Sequence, residues 1–314
     1  MSLGHFVEIS QPNIYLSLNR GFLEISQQKN ILGKIPLDDI LGLVITSFGC
    51  SNSSNLLVEL ADRNIPISIC GSNFMPMALV FPIVGNVKQK ARIQSQVEAK
   101  NTLKKRLWKK IVQLKLKNQA LVLKENNLNY KALLDMSNLV QSGDPQNLEA
   151  QSARRYWTHL FSKKFKRDRY GNDINSLLNY SYTIIRSCTA RAVMSVGLHP
   201  SLGIHHRNFY NPMCLVDDLM EPFRPLGDYV VKQFYDKGIT LVDKEVKKTL
   251  SKISTVDMFG DKGQSPLFQI IAQFVYSFSI ALRTSQKKWE PKLKIQWNHL
   301  RIEKLRDNID SYSV

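Results

Sequence analysis

Two histidines and three acids fall in one short window of a basic chain. Residues 205–225 read HHRNFYNPMCLVDDLMEPFRP, with His205 and His206 adjacent and Asp217, Asp218 and Glu221 on an apolar run. Asp218 and Glu221 are three residues apart, which puts both carboxylates on one face of a helix. Leu215, Leu219 and Phe223 recur every fourth residue and mark an apolar stripe beside them. Carboxylates crowded against a buried surface repel one another, and a divalent cation relieves that cost. Hard cations take oxygen ligands, and a neighbouring imidazole suits Mn2+ as well as Mg2+. Two acids at helical spacing more often form a solvated face, so the pair alone does not make a metal site. Pro222 and Pro225 sharpen the case, because proline inside a helical pattern bends it or removes a backbone hydrogen bond.

A second acid stands in DPQNLEAQSARRYW (144–157). Asp144-Pro145 is turn chemistry, Asn147 is the expected helix cap, and Glu149 falls in the first turn, with Ala153 and Tyr156 following on its face. The helix dipole alone also explains an acid there.

The elements that must carry these residues divide near residue 85. Before it, HFVEIS (5–10) and IYLSLNRGFLEIS (14–26) alternate apolar and polar residues, with a hairpin turn expected at Asn19-Arg20-Gly21. KIPLDDILGLVIT, IPISICG and MALVFPIV add apolar strands. SNSSNLLVELADRN reads as one helix capped by Ser or Asn, with Leu56, Leu57 and Leu60 on one face. FPIVGN (81–86) reads as a connector. After it, helices fit 88–124, 147–162, 173–197, 213–236 and 264–283. The expected class is α+β. A small β-rich domain with one helix (1–80) and a linker (81–95) precede a larger all-α domain (96–314).

The chain has 314 residues, with 43 Lys and Arg against 26 Asp and Glu, a net charge of +17. That excess points to a polyanion, nucleic acid first. Residues 88–124 hold most of one basic face, with Glu98 the one acid at 88–124 and Leu103, Leu107, Trp108, Ile111, Leu114 and Leu116 threaded through it. Unpaired like charges on one helix repel unless a polyanion offsets them. Lys100, Lys104, Lys105, Lys109, Lys110 and Lys117 are therefore candidate phosphate contacts. No apolar run approaches the ~20 residues of a membrane helix. The start lacks a secretory pattern, and Cys50, Cys70, Cys188 and Cys214 form no metal or disulfide spacing. A cytoplasmic protein with no membrane partner is expected. The basic C-terminal stretch holds Trp289 and Trp297, read as packing residues in a candidate docking tail.

Four stretches, NLEAQSARRYW (147–157), DINSLLNYSYTIIRS (173–187), VGLHPSLGIHH (196–206) and LVDDLMEPFRPLGD (215–228), resemble in order and spacing the integrase subunit of CRISPR spacer acquisition, CRISPR-associated protein one. LMEPFRP after an upstream histidine is the most specific of them, and its glutamate looks like members from type II systems. The chain departs from many relatives in having Ala150 after the first glutamate and Glu221 in place of aspartate. The resemblance implies a metal-dependent DNA integrase and endonuclease that inserts short duplexes into a CRISPR array through 3′-hydroxyl attack on a phosphodiester. It implies Glu149, His206 and Glu221 as catalytic ligands of Mg2+ or Mn2+, His206 being preferred to His205 because it ends the Gly203-to-His206 run. Asp218, His205, Arg224, Tyr156 and Arg155 become candidates for lining the site or touching DNA, and the resemblance makes Lys100, Lys104, Lys105, Lys109, Lys110 and Lys117 candidate DNA contacts. Arg224 is read as facing the scissile phosphate or pairing with Asp218 or Asp228. The implied partners are double-stranded DNA (insert and repeat), a second copy through the β-rich domain, the small CRISPR-associated protein two bridging two dimers, and the type II effector nuclease. An integrase of a related mobile element and a non-catalytic nucleic-acid scaffold are the alternatives.

Overall fold

The computed structural model describes residues 5–71, 76–80, 82, 88–260, 263–285, 288–291 and 293–307. The N-terminal part holds β1 (His5–Ile9), β2 (Ile14–Asn19), β3 (Phe22–Gln27), β4 (Asn30–Pro36), β5 (Ile40–Ile45), β6 (Ser51–Asn52), α1 (Ser54–Asp62), β7 (Ile67–Cys70) and β8 (Pro76–Val80). The β2–β3 hairpin turns on Arg20 and Gly21, both with positive φ (48° and 83°), the geometry a two-residue hairpin loop requires. Its alternation sends Ile14, Leu16, Leu23 and Ile25 into the core. Two four-stranded sheets result, ordered β4-β3-β2-β6 and β1-β5-β7-β8. Ser53 caps α1 by accepting from the Leu56 amide at 3.3 Å, and Leu56 and Leu60 are buried. Leu57 is partly buried.

β5 explains how this part is joined to the rest. All six of its residues are buried, as expected of a strand covered on both faces. Ile40, Leu43 and Ile45 enter the core of the β-rich part, while Leu41 and Val44 belong to the larger helical core. Polar bonds reinforce the seam: Tyr180 donates to Glu8 at 2.7 Å, Lys247 to Glu8 at 2.9 Å, and the Ser68 and Ser187 hydroxyls lie 2.8 Å apart.

The helical part comprises α2 (Gln89–Glu98), α3 (Asn101–Glu125), α4 (Lys131–Leu139), α5 (Leu148–Leu160), α6 (Ile174–Ser195), α7 (Cys214–Met220), α8 (Arg224–Asp236) and α9 (Lys244–Ser251). It ends with β9 (Asp257–Gly260), β10 (Gly263–Pro266), α10 (Leu267–Arg283) and α11 (Ile302–Asp307). Nearly every residue of α6 is buried, so it is the axis around which the others pack. Trp289 packs on Phe274 and Phe278, and Trp297 on Tyr229. Both indoles are buried, as their reading as packing residues required.

Four expectations need correction. The larger part is not all-α: β9 and β10 form an antiparallel hairpin, and β9 gains a bridge to Lys294. The helix expected over 88–124 breaks at Ala99-Lys100, both extended in ψ. No proline or glycine marks that break; the two helices have different partners. Gln96 of α2 is bound to the loop after α6, accepting from the His199 amide at 2.7 Å and donating to its carbonyl at 3.0 Å. α2 also begins inside the expected linker 81–95, and the connector 81–86, apart from Pro82, lies outside the described residues. The helix expected over 213–236 is two helices, interrupted at Glu221–Phe223 where Pro222 supplies no amide hydrogen.

Candidate active site

The interruption between α7 and α8 places Glu221. Asn118 of α3 donates to the Pro222 carbonyl at 2.7 Å, satisfying an acceptor that the broken helix frees. Glu221 is 4% exposed, and Arg224, one turn on, donates to its Oε1 at 2.7 Å. The guanidinium is in turn held over the Tyr182 ring at 4.3 Å.

Glu149 arrives on the first turn of α5. The cap differs from expectation: Asn147 sits at the cap position in the left-handed region, but its side chain makes no cap bond. The Asp144 carboxylate accepts from the Leu148 and Glu149 amides instead, each at 2.9 Å. Glu149 and Glu221 then meet on one cation, Lys115 of α3. Lys115 Nζ donates to Glu149 Oε1 and lies 2.5 Å from Glu221 Oε2. The second contact has ion-pair distance without hydrogen-bond alignment, so Glu221 Oε2 is buried with no hydrogen bond. Burial pushes the Glu221 carboxyl up, but the charges of Arg224 and Lys115 outweigh it and hold the group at about 2. Burial likewise opposes the Lys115 ammonium, and the charges of Glu221 and Glu149 still raise it above the ordinary lysine value.

The histidines come from the loop before α7. Asp218, with none of its surface exposed, accepts from the backbone amides of Ile204 (2.7 Å), His205 (3.1 Å) and His206 (3.1 Å). It also lies 2.7 Å from His206 Nδ1. The hydrogen bond to Asp218 raises the His206 pKa against the effect of burial, and the Glu221 charge adds to the rise. The His205 ring is stacked on Trp108 of α3, centroids 4.0 Å apart and 3° from parallel, while His206 meets Trp108 edge-on. Burial lowers the His205 pKa.

The remaining candidates separate. Arg224 pairs with Glu221, not with Asp218, and Asp218 is spent on the loop rather than open to a metal. Tyr156 is fully buried and donates to Asp228 Oδ2 at 3.0 Å, so it braces the site from beneath rather than lining it. Tyr182 donates to the other oxygen of Asp228. Arg155 is exposed on α5. Lys100, Lys105 and Lys117 are exposed and Lys104 and Lys109 half-buried. Among the described residues none of these five has a carboxylate within ion-pair distance, whereas Lys110 is paired with Glu290 at 3.4 Å. Burial lowers the Lys104 pKa, and the like charge of Arg207 in the histidine loop adds to the effect.

Sequence reasoning missed Lys115, counting it with the basic face. Its signal was position: it falls in step with Trp108, Ile111, Val112 and Gln119 on the buried stripe of α3. Phe209 and Tyr210 were missed too. They are 94% and 88% exposed, edge-to-face at 5.5 Å, three and four residues after His206. Asn208 and Asn211 brace their loop, Asn208 Oδ1 accepting from the Tyr210 amide and Asn211 donating to Asp217 at 2.7 Å.

Among the described residues no three His, Cys, Asp or Glu side chains are gathered closely enough to form a ready metal cage. Glu149 and Glu221 nevertheless fit a cation. Their oxygens converge on a single positive atom, and Glu221 Oε2 is buried without a hydrogen bond. Two carboxylates with an imidazole nearby are a donor set suited to Mg2+ or Mn2+. No helix among the described residues is long and apolar enough to cross a membrane.

The family model for CRISPR associated protein Cas1 matches residues 7–254. The CRISPR-associated endonuclease Cas1 of Neisseria meningitidis is 37% identical over 225 residues, 71% of this chain and 73% of that protein. A casposase bound to its integration product has the same fold, with a TM-score of 0.76 at 18% identity over 91% of this chain and 92% of that one. A Cas1 protein from Thermotoga maritima superposes with a TM-score of 0.72 at 14% identity, covering 88% of this chain and 96% of that one. The chain therefore belongs to the Cas1 family.

Proposed function

We propose that the protein is a divalent-metal-dependent DNA integrase and endonuclease that inserts short foreign duplexes as spacers into a CRISPR array. The observation that carries this reading is the meeting of Glu149 and Glu221 on one cation position, beside a histidine held by Asp218, in a Cas1-family chain. Glu149, His206 and Glu221 would hold Mg2+ or Mn2+. When bound, such an ion polarises the phosphoryl oxygens and stabilises the attacking and leaving oxygens. The chain's own residues do the rest. Asp218 accepts the hydrogen bond from His206 Nδ1, which leaves Nε2 of the neutral ring as the nitrogen able to take a ligand. Arg224 neutralises and orients Glu221, and Trp108 holds the His205 ring by stacking on it.

Lys100, Lys104, Lys105, Lys109 and Lys117 track the DNA backbone, with Lys110 partly committed to Glu290. Phe209 and Tyr210 offer exposed ring faces to unpaired bases entering the site, with Arg207 and Lys104 at hand for the phosphates. The protein works in the cytoplasm as a homodimer through residues 1–80, with the small CRISPR-associated protein two joining two dimers. The effector nuclease of a type II system is the further partner this reading admits.

Strand transfer tests it. The protein and its small partner are mixed with a labelled duplex, a repeat-bearing target and Mn2+ or Mg2+, beside Glu221→Ala and His206→Ala. Joined product that disappears with chelator and in both variants is the expected result. Tight DNA binding with no joined or cleaved product in the parent would favour a scaffold. An integrase of a mobile element shares this fold, and the DNA around the gene, repeat array or transposon ends, separates the two.

A further inference from the structure

Lys115 has no counterpart in the roles assigned above. It is 6% exposed, on a helix whose other lysines mostly reach solvent, and it makes ion contacts with both glutamates at once. Burying an ammonium is strongly unfavourable unless it is closely paired, so this lysine is held there by the two carboxylates and they by it. Glu149 sits on α5 and Glu221 at the α7–α8 break, and Lys115 of α3 is the atom that draws the two together. Arg224 supplies a second cation at Glu221 Oε1. Two carboxylates against two cations leave the group electrically neutral.

A divalent ion held by Glu149 and Glu221 would compete for the carboxylate oxygens that Lys115 Nζ now contacts. We propose that Lys115 is a positioning residue that gathers the two glutamates and is exchanged for the divalent ion, so that metal binding is coupled to the arrival of a DNA phosphate. The inference rests on the metal-dependent reading above. The coupling follows from charge. Adding a divalent ion to the neutral group leaves it at about +2, a state that favours an anion within a few ångström. The displaced ammonium, on a flexible four-carbon stem, stays within reach of the phosphate that brings that anion. Without Lys115 the group carries an uncompensated negative charge and takes the ion unaided.

The test is Mn2+ affinity, read by titration calorimetry and by the free-Mn2+ electron paramagnetic resonance signal, with and without a short duplex. Lys115→Met binds Mn2+ about tenfold tighter than the parent in the absence of DNA, the scale of one charge contact removed from a partly screened site. DNA tightens Mn2+ binding to the parent and changes it little in the variant. Lys115→Arg, which keeps the charge, binds Mn2+ no tighter than the parent. Melting curves guard against a folding defect: Mn2+ raises the melting temperature of Lys115→Met more than that of the parent. Should Lys115→Met not fold, Lys115→Gln carries the same expectations.

Equal or weaker Mn2+ binding by the neutral variant, or equal DNA coupling in both proteins, overturns the proposal. Glu221→Gln separates the two levels. If it binds Mn2+ as the parent does, or the parent binds none even with the duplex present, the metal reading itself fails. If Glu221→Gln loses Mn2+ while Lys115→Met matches the parent, only the role of Lys115 fails.

Discussion

His206 Nδ1 donates to Asp218 Oδ1 at 2.7 Å, and the same carboxylate accepts three backbone amides of residues 204–206. A carboxylate of this kind only accepts, so in the neutral ring Nδ1 carries the proton and Nε2 presents its lone pair. Asp218→Asn replaces one acceptor oxygen with a donor facing amide hydrogens. The expected result is a loss of Mn2+ affinity of about 10- to 100-fold. Stability falls by about 1–3 kcal/mol from the unsatisfied buried groups. Calorimetry and urea denaturation measure the two separately. Lost stability with unchanged Mn2+ affinity would reduce Asp218 to a brace for the backbone.

The lysines on α3 and at its N-terminal cap make a salt-dependent prediction. Lys100, Lys105 and Lys117 are exposed and unpaired with any carboxylate among the described residues. Each phosphate contact contributes about 0.9 to the slope of log affinity against log salt. Changing all three to alanine should flatten that slope by up to about 2.7 and leave the melting temperature within about 1 °C, since surface substitutions act weakly on stability. Fluorescence anisotropy over a salt series measures it. An unchanged slope would move the DNA track off this face.

The pattern of residues carried much of this architecture, and its failures have physical causes. Alternation with a positive-φ Arg20-Gly21 turn marks the β2–β3 hairpin because both signals are local. Asp218 and Glu221 at helical spacing mark the acid cluster for the same reason. The Ala99-Lys100 break is invisible because tertiary contacts, led by Gln96 with the His199 backbone, impose it on helix-compatible residues. The β9–β10 hairpin, DMFG against GQSP, is too short and too polar to alternate convincingly. Asp144 displaced Asn147 as the cap of α5 because the chain turns back on itself there, which a linear cap rule does not see. Lys115 was hidden by its company: among so many basic residues, one on the buried stripe looked like another surface charge.

Phe209 and Tyr210 give a prediction that sorts DNA structures. Two nearly bare aromatic rings on a braced loop are suited to stacking on bases, and only unpaired bases expose their faces. Replacing both with alanine should weaken binding of a duplex with single-stranded 3′ ends by about 1–3 kcal/mol per stacked base. Binding of a blunt duplex should be unchanged. Equal losses on both DNAs would mean that the loop contacts the backbone instead.

Asp228 gives a pH prediction. Burial pushes its carboxyl up to about 6, against the hydrogen bond from Tyr182, the Arg224 charge, the hydrogen bond from Tyr156 and the Arg167 charge. Its ordinary value is 3.8, so the folded protein holds the proton more tightly than the unfolded chain does. The stability this lends is complete below pH 3.8 and is lost as the pH rises through about 6. Asp228→Asn keeps the shape and a hydrogen-bonding partner for each tyrosine hydroxyl but cannot ionise. Between pH 4 and 6 the parent should therefore lose stability relative to the variant as the pH rises, and above about pH 7 the difference should be constant. Urea denaturation at half-unit pH intervals measures the difference. Parallel profiles would show that Asp228 keeps its ordinary ionisation in the fold, with the two arginines outweighing its burial.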